Sequence, residues 1–191
     1  MALATIDPFI DGAAVQQVGD LTFDIVQRGA PRMLAVPEGQ VCVEMLSMYQ
    51  TDGIIAEPAG ALAAAALQDN LGLAPGSTIV CVLSGGNNDV SRYAEIVERA
   101  LVYEGRKHYF LVDFPKELGA LRRFLDDVLG PDDDITLFEY VKRSNRETGP
   151  ALVGIELGSP DDLQPLLERM ASAPPSIERL PPDSPMFRFL L

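Results

Sequence analysis

The sequence predicts two domains of different class, an α/β first part and an α+β second part. Three observations lead to this prediction. Apolar residues make up 47% of the 191 residues, which is enough to fill a core. The first half mixes helical periodicity with short apolar runs, whereas the second half shows the order β-α-β-β-α-β. Because this order is confined to the second half, we place the boundary after residue 103, which gives domains 1–103 and 104–191.

The first half predicts two strands and three helices. Residues 33–36 form a short apolar run, and residues 78–83 form a β-branched run that is apolar on both faces, as in a strand of a parallel sheet. Pro37 suits the start of the first helix, and Glu57-Pro58 opens an alanine-rich one. The predicted helices cover residues 41–50, 59–70 and 91–103, and Gly105 is placed to end the last of them.

The second half predicts four strands and two helices. Strands are expected at residues 108–114, 135–141, 151–157 and 176–180, and helices at 118–129 and 163–170. Pro115 stops the first strand, and Ser159 to Asp162 resemble a capping box. This order within about 80 residues is that of a ferredoxin-like βαββαβ unit.

Composition excludes several classes of partner. The formal net charge of -13 repels phosphate backbones, so we expect no nucleic acid partner. No apolar run approaches the roughly 20 residues of a membrane span, and the N-terminus does not resemble a signal peptide, so we expect a cytoplasmic protein without a membrane partner. One histidine, His108, and two distant cysteines cannot form a zinc site, and we interpret His108 as structural. Residues 132–134 are all Asp, and we interpret them as turn and capping residues and not as a metal site.

The stretch Ser84-Gly85-Gly86-Asn87 follows the predicted strand 78–83. Two glycines at the end of a parallel strand allow a ligand to approach the backbone closely and expose N–H groups. Ser84 and Asn87 add a hydroxyl and an amide, which suit a flat heteroaromatic or anionic ligand. A plain strand-to-helix turn explains the same residues equally well.

A second candidate site lies in residues 114–121, at a predicted junction between a strand and a helix. Gly119 stands where the helix begins, and the exposed N–H groups there can bind a carboxylate. Alternatively, Gly119 only permits tight packing of the helix on the sheet.

Long strings of the sequence resemble threonine dehydratases (threonine ammonia-lyases) of the biosynthetic type. The strings are DPFIDGAAVQQVGDLTF, DGIIAEPAGALAAAAL, CVLSGGNNDVSRYAEIVERALVYEGRKHYFLVDFP and LGPDDDITLFEYVKRSNRETGPALVGIEL. The resemblance covers essentially the whole chain. It implies the end of a pyridoxal-phosphate domain of fold type II, with an incomplete parallel sheet, followed by one ACT-like regulatory domain.

The resemblance also implies roles for the first candidate site. The family's serine in this motif hydrogen-bonds the pyridine nitrogen of pyridoxal phosphate, which assigns that role to Ser84. Gly85, Gly86 and Asn87 would form the wall beside the ring. Glu57, in the family's EPAGA motif, would be a pocket residue, although an acid favoured by the helix dipole is an equal explanation.

One departure from the family concerns catalysis. A pyridoxal-phosphate enzyme needs a lysine for its Schiff base. The three lysines, Lys107, Lys116 and Lys142, all lie in or beside the second domain. The family's lysine segment and phosphate loop belong upstream of Met1. We therefore assign no catalytic residue, and we expect the chain alone to be inactive and not to bind the cofactor.

For the second candidate site, the resemblance implies isoleucine and valine as effectors, bound where ACT domains bind amino acids. The residues are Pro115, Lys116, Glu117, Leu118, Gly119 and Ala120. The family also implies a homo-oligomer. Two other hypotheses remain, a free-standing amino-acid-binding module without enzymatic activity and an unrelated ligand-binding α/β protein.

Overall fold

A computed structural model describes residues 3–115, 117–140, 148–182, 184–187 and 190. The chain divides into two compact units, the first ending at Ala100 and the second beginning at Leu101. This division lies inside the helix Tyr93–Tyr103. Each unit has its own group of buried apolar residues.

The first unit is built from helices joined by turns. They are α1 (Asp20–Gly29), α2 (Glu38–Ser47), α3 (Pro58–Ala65) and α4 (Tyr93–Tyr103). A π-helical turn, Met48–Asp52, extends α2, and Gly53 ends it with a φ of 67°. Short 3-10 turns lie at Asp11–Ala13, Ala66–Gln68 and Val90–Arg92.

The core of the first unit lies between α2, α3 and α4. Cys42 and Met45 of α2 are buried, as are Ala61 and Ala65 of α3 and Ile96 of α4. The alanines of α3 leave room for α2 to approach closely. Pro58 occupies the first turn of α3, as the sequence predicts, because its missing N–H needs no partner there.

The predicted parallel sheet of the first unit is wrong for the residues that the structure describes. Residues 33–36 and 78–83 are not strands, and no strand is present in the described part of this unit. Residues 78–83 are also not buried on two faces, since Val80 is 84% and Val82 71% exposed. A strand needs a hydrogen-bonded neighbour, and the described residues of this unit provide none for either segment.

Helix α1 is absent from the sequence-based prediction. All of its described side chains are exposed, including the apolar Leu21, Phe23 and Ile25. Ala30 ends the helix in the left-handed conformation, with a φ of 41°. Helix α1 therefore contributes no buried side chain to the core of this unit.

The second unit has the predicted element order β-α-β-β-α-β. Its elements are β1 (Lys107–Pro115), α5 (Ala120–Val128), β2 (Asp134–Tyr140), β3 (Thr148–Glu156), α6 (Leu163–Ser172) and β4 (Ser176–Leu180). The strands form one sheet in the order β2-β3-β1-β4, and every neighbouring pair is antiparallel. In the β1–β3 ladder Phe110 lies opposite Val153, and Phe114 lies opposite Gly149.

Because side chains alternate between the two faces along each strand, one face of the sheet packs against the helices. Phe110, Val112 and Phe114 of β1 pack in one core with Phe124 of α5 and Leu166 of α6. Tyr109 of β1 belongs instead to a smaller cluster with Leu180 and Phe187. The cluster with the helices ends beside the carboxyl end of β1, where the candidate effector residues lie.

Turns and caps in the second unit follow the sequence prediction closely. Ser159 forms a capping box with Asp162, whose carboxylate accepts a hydrogen bond from the Ser159 N–H at 3.0 Å. Asp133 is confirmed as a turn residue, because its carboxylate accepts the Gly130 N–H at 2.6 Å and pairs with Arg169 at 3.1 Å. This ion pair connects the turn after α5 to α6.

Candidate functional site

A cavity of about 400 Å³ lies at the end of the sheet in the second unit, beside the start of α5. Its volume falls within the usual range of small-molecule sites. The lining residues come from β1, from the turn to α5, from α5 itself and from β2. They are Phe114, Pro115, Glu117, Leu118, Gly119, Ala120, Leu121, Phe138 and Tyr140.

The turn before α5 takes its shape from Gly119. This residue is the N-cap of the helix and has a φ of 80°, a conformation that L side chains rarely adopt. The first N–H groups of a helix have no intrahelical acceptor. Here the Ala120 N–H donates to the Glu117 carbonyl oxygen at 3.4 Å, whereas the described residues provide no acceptor for the Leu121 N–H, which remains available to a ligand. Leu118 extends fully into solvent, with 100% of its side chain exposed.

Arg123, in the first turn of α5, stabilises the loop before the helix through two hydrogen bonds. Its Nη2 donates to the Glu117 carboxylate at 2.7 Å, and its Nη1 donates to the Leu118 carbonyl oxygen at 3.3 Å. Glu117 thus lines the cavity with its charge compensated. The preceding arginine, Arg122, pairs instead with Asp126 on the exposed side of the helix.

Aromatic side chains form one part of the cavity lining. The ring of Phe114 contacts Phe124 edge-to-face with 5.3 Å between centroids. Phe138 and Tyr140 of β2 each lie 6.1 Å from the same ring. The cavity lining thus combines the N-terminus of α5 with aromatic rings, which suits a ligand with an anionic group and an apolar side chain.

The structure places five of the six predicted effector residues around this cavity, namely Pro115, Glu117, Leu118, Gly119 and Ala120. Lys116 lies outside the described residues. Phe138 and Tyr140 are not among the residues predicted from the sequence. Their spacing of two on a predicted strand puts both rings on one face, which is the signal that could have identified them.

The residues of the other candidate site, at the SGGN motif, contact the start of α3. The Glu57 N–H donates to the Gly85 carbonyl oxygen, and the Glu57 carboxylate accepts the Asn87 N–H, both at 3.1 Å. A side chain on Gly85 would collide with this carboxylate, so the glycine is required for the contact. Gly86 would bring a Cβ to 3.0 Å from the Ile55 carbonyl oxygen.

Only part of the site at the SGGN motif fits the pyridoxal phosphate that the resemblance implies. Ser84 and Asn87 are exposed, and a hydroxyl at Ser84 suits the edge of a pyridine ring. However, residues 1–103 contain no lysine that could bind the aldehyde. The Glu57 carboxylate also accepts a hydrogen bond from the Asn87 N–H, so this backbone donor already has a partner. We therefore derive no catalytic step from these residues.

His108 has the structural role that the sequence predicts. It is buried, and its Nδ1 accepts a hydrogen bond from Arg179 at 3.1 Å while its Nε2 donates to the Gly105 carbonyl oxygen at 2.8 Å. Burial, together with the charge of Arg179, lowers the pKa of His108 below its usual 6.5. The side chain is therefore neutral near pH 7.

Two further features concern metal ions and membranes. Within the ranges that the structure describes, no three His, Cys, Asp or Glu side chains are grouped as a metal site requires. The described helices include none that is both long and apolar enough to cross a membrane.

Comparisons with known proteins match both units. The family of pyridoxal-phosphate dependent enzymes matches residues 2–85, and the C-terminal regulatory domain of threonine dehydratase matches residues 98–190. The biosynthetic L-threonine dehydratase IlvA of Corynebacterium glutamicum is 58% identical over the whole chain, which covers 44% of that relative. The proteins of the same name from Mycobacterium tuberculosis and Bacillus subtilis are 60% and 49% identical, again over the whole chain and 45% of each relative.

The chain thus spans less than half the length of these relatives. The first matched segment ends at Gly85, inside the SGGN motif, and the second contains the residues that line the cavity beside α5. On this evidence the chain is similar over its whole length to part of the biosynthetic threonine dehydratases, with a segment like the pyridoxal-phosphate dependent enzymes followed by a segment like the C-terminal regulatory domain of threonine dehydratase.

Proposed function

We propose that the chain is the regulatory portion of a threonine ammonia-lyase and that it binds branched-chain aliphatic amino acids, isoleucine and valine, in the cavity beside α5. This proposal rests on two features that lie in the same cavity. The N-terminus of α5 faces one side, and the rings of Phe114, Phe138 and Tyr140 line the other.

Each part of an amino acid has a matching partner in this arrangement. The α-carboxylate would bind the N–H groups of Gly119 and Leu121, where the helix dipole favours negative charge. The ammonium group would approach the Glu117 carboxylate. The aliphatic side chain would pack on the aromatic wall, where each buried methylene contributes about 0.8 kcal/mol. Valine would thus bind only slightly more weakly than isoleucine.

The finer features of the family support a role within a larger enzyme. We infer an ACT-like, ferredoxin-like fold for the second unit and a part of a fold-type-II domain for the first. The complete enzyme would convert threonine to 2-oxobutanoate and ammonia with pyridoxal phosphate, and Ser84 would face the pyridine nitrogen. We infer that this enzyme is a cytoplasmic homo-oligomer and that the 191-residue chain alone is inactive.

A second candidate function is a free-standing amino-acid-binding module without enzymatic activity. The hydrogen bond from the Asn87 N–H to the Glu57 carboxylate favours this hypothesis, because it gives a backbone donor of the SGGN motif a partner within the protein. Both hypotheses predict that the chain alone does not bind pyridoxal phosphate, so the test joins the chain to the N-terminal part of a relative that it lacks. Threonine deamination by this fusion that changes when isoleucine is added would support the first hypothesis, and an inactive fusion in which the chain still binds isoleucine would support the second.

Calorimetric titration of isoleucine into the 191-residue chain tests the effector site, with two neighbouring arginines as a matched pair. Arg123→Ala should weaken binding because it releases Glu117 and Leu118. Arg122→Ala removes the same charge from the same helix but only breaks an exposed pair with Asp126, so its affinity should equal that of the wild type. Absence of binding to the wild type at millimolar isoleucine, or equal loss in both variants, would contradict the proposed site.

A further inference from the structure

Tyr140 reaches across a neighbouring strand to complete the wall of the cavity. In the β2–β3 ladder it lies opposite Ala151, yet its ring lies over Gly149, two residues away on the same face. Gly149 in turn lies opposite Phe114 of β1. The ring of Tyr140 therefore spans β3 and contacts the ring of Phe114 edge-to-face, with 6.1 Å between centroids.

Gly149 is the residue that permits this position. A Cβ at Gly149 would lie 2.6 Å from the Tyr140 hydroxyl oxygen, 2.7 Å from its Cε2 and 2.8 Å from its Cζ. Real Cβ atoms essentially never come within 3.0 Å of another heavy atom, so even an alanine would displace the ring. The next residue on this face of β3, Ala151, is buried in the core beside Phe114.

The Tyr140 ring stands at the mouth of the cavity, because it lines the cavity and is also 40% exposed. Its displacement would enlarge the apolar part of the site at the end away from the α5 N-terminus. We propose that Tyr140, held in place by Gly149, determines which amino-acid side chains the site accepts, favouring aliphatic side chains of the size of isoleucine over larger aromatic ones. The inference rests on the effector site proposed above and names its specificity-determining pair.

Three variants of the 191-residue chain test this inference by calorimetric titration with isoleucine and phenylalanine. Tyr140→Ala should weaken isoleucine binding about tenfold, the effect of one lost apolar contact surface, and should narrow or reverse the preference over phenylalanine. Tyr140→Phe keeps the ring and should keep both affinities. Gly149→Ala, which leaves the tyrosine in the sequence, should reproduce Tyr140→Ala because it displaces the same ring.

The double variant Tyr140→Ala/Gly149→Ala separates displacement of the ring from general damage to β3. If Gly149 acts through Tyr140, the second change adds no further loss of isoleucine affinity. Additive losses of isoleucine affinity in the double variant would overturn the inference. An unchanged preference for isoleucine over phenylalanine in Tyr140→Ala would also overturn it. Neither result would contradict the effector site itself. Failure of the wild type to bind either amino acid would instead overturn the effector site and this inference together.

Fluorine NMR of chain labelled with 3-fluorotyrosine reports the ring position directly. The chain has five tyrosines, and the signal missing from Tyr140→Phe identifies the relevant one. We expect this signal to shift in Gly149→Ala without ligand and in the wild type when isoleucine is added. A signal that is identical in the wild type and Gly149→Ala would show that Gly149 does not position the ring.

Discussion

Gly119 offers a perturbation whose size follows from its backbone conformation. With a φ of 80°, any L residue at this position costs about 1–2 kcal/mol relative to glycine, and asparagine costs less because it tolerates the left-handed region. Steric conflict adds little, since a Cβ would meet only Arg123 Nη1 at 3.7 Å, an ordinary contact. Gly119→Ala should therefore lower the free energy of unfolding by about 1–2 kcal/mol, and Gly119→Asn by clearly less.

The same strain should appear in ligand affinity. If the turn relaxes away from its left-handed conformation in the unbound Gly119→Ala variant, isoleucine must restore that conformation. The affinity should then weaken by at most 5- to 30-fold, from about 1–2 kcal/mol, because the losses in stability and in binding share the same strain energy; the change in Gly119→Asn should be smaller.

Urea unfolding and calorimetric titration on the same three proteins measure the two effects of Gly119. A Gly119→Ala variant that is as stable as the wild type and also binds isoleucine as tightly would refute the left-handed turn. If alanine and asparagine impaired binding equally despite different stabilities, the side chain and not the backbone strain would be responsible.

Three other predictions concern stability and reactivity. Because burial lowers the pKa of His108, the folded state binds a proton at this residue less readily than the unfolded state. The contribution of His108 to the unfolding free energy is therefore complete above about pH 6.5 and falls at lower pH, so His108→Gln should lose less unfolding free energy than the wild type between about pH 7.5 and pH 5. Burial also raises the pKa of Cys42 to about 12, so a thiol reagent should label the partly exposed Cys81 in the native chain and Cys42 only after unfolding, and rapid labelling of both would contradict this. Asp133→Ala should destabilise the second unit by about 2 kcal/mol in urea unfolding, because it removes the partner of Arg169 and of a turn amide; an unchanged midpoint would show that the ion pair contributes nothing.

The second unit was predictable because its signals are local. Strand alternation, the helical spacing of leucines and the capping box at Ser159 all act within a few residues of one another. The differences are confined to element ends. Strand β3, for example, begins at Thr148, three residues earlier than predicted. Periodicity defines where a strand exists better than where its pairing stops.

The predicted strands of the first unit failed for the opposite reason. The apolar run at residues 78–83 indicates a preference for extended structure, but a strand also needs partners that are distant in the sequence. No such partner exists in the described part of this unit. Helix α1 was missed although Leu21 and Ile25 have helical spacing, because only a short segment carries that pattern.

The candidate effector site was only partly visible in the sequence. Residues 114–121 were identified because a strand stop, a glycine and a helix start are consecutive there. Tyr140 was not, because its position depends on the β2–β3 register and on Gly149. Register is a property of paired strands, and neither strand alone encodes it.

The two candidate sites differ in whether their backbone donors remain available. At the SGGN motif the Glu57 carboxylate accepts the Asn87 N–H and lies against Gly85, so an anionic ligand would have to displace a charge that the protein itself provides. At the start of α5 the Glu117 carboxylate accepts a hydrogen bond from Arg123, and although the Glu117 carbonyl oxygen accepts the Ala120 N–H at 3.4 Å, the described residues provide no acceptor for the Leu121 N–H. A helix N-terminus attracts anions only while those groups lack another acceptor. Within this chain, an amino-acid carboxylate should therefore bind at the start of α5 in preference to the SGGN motif.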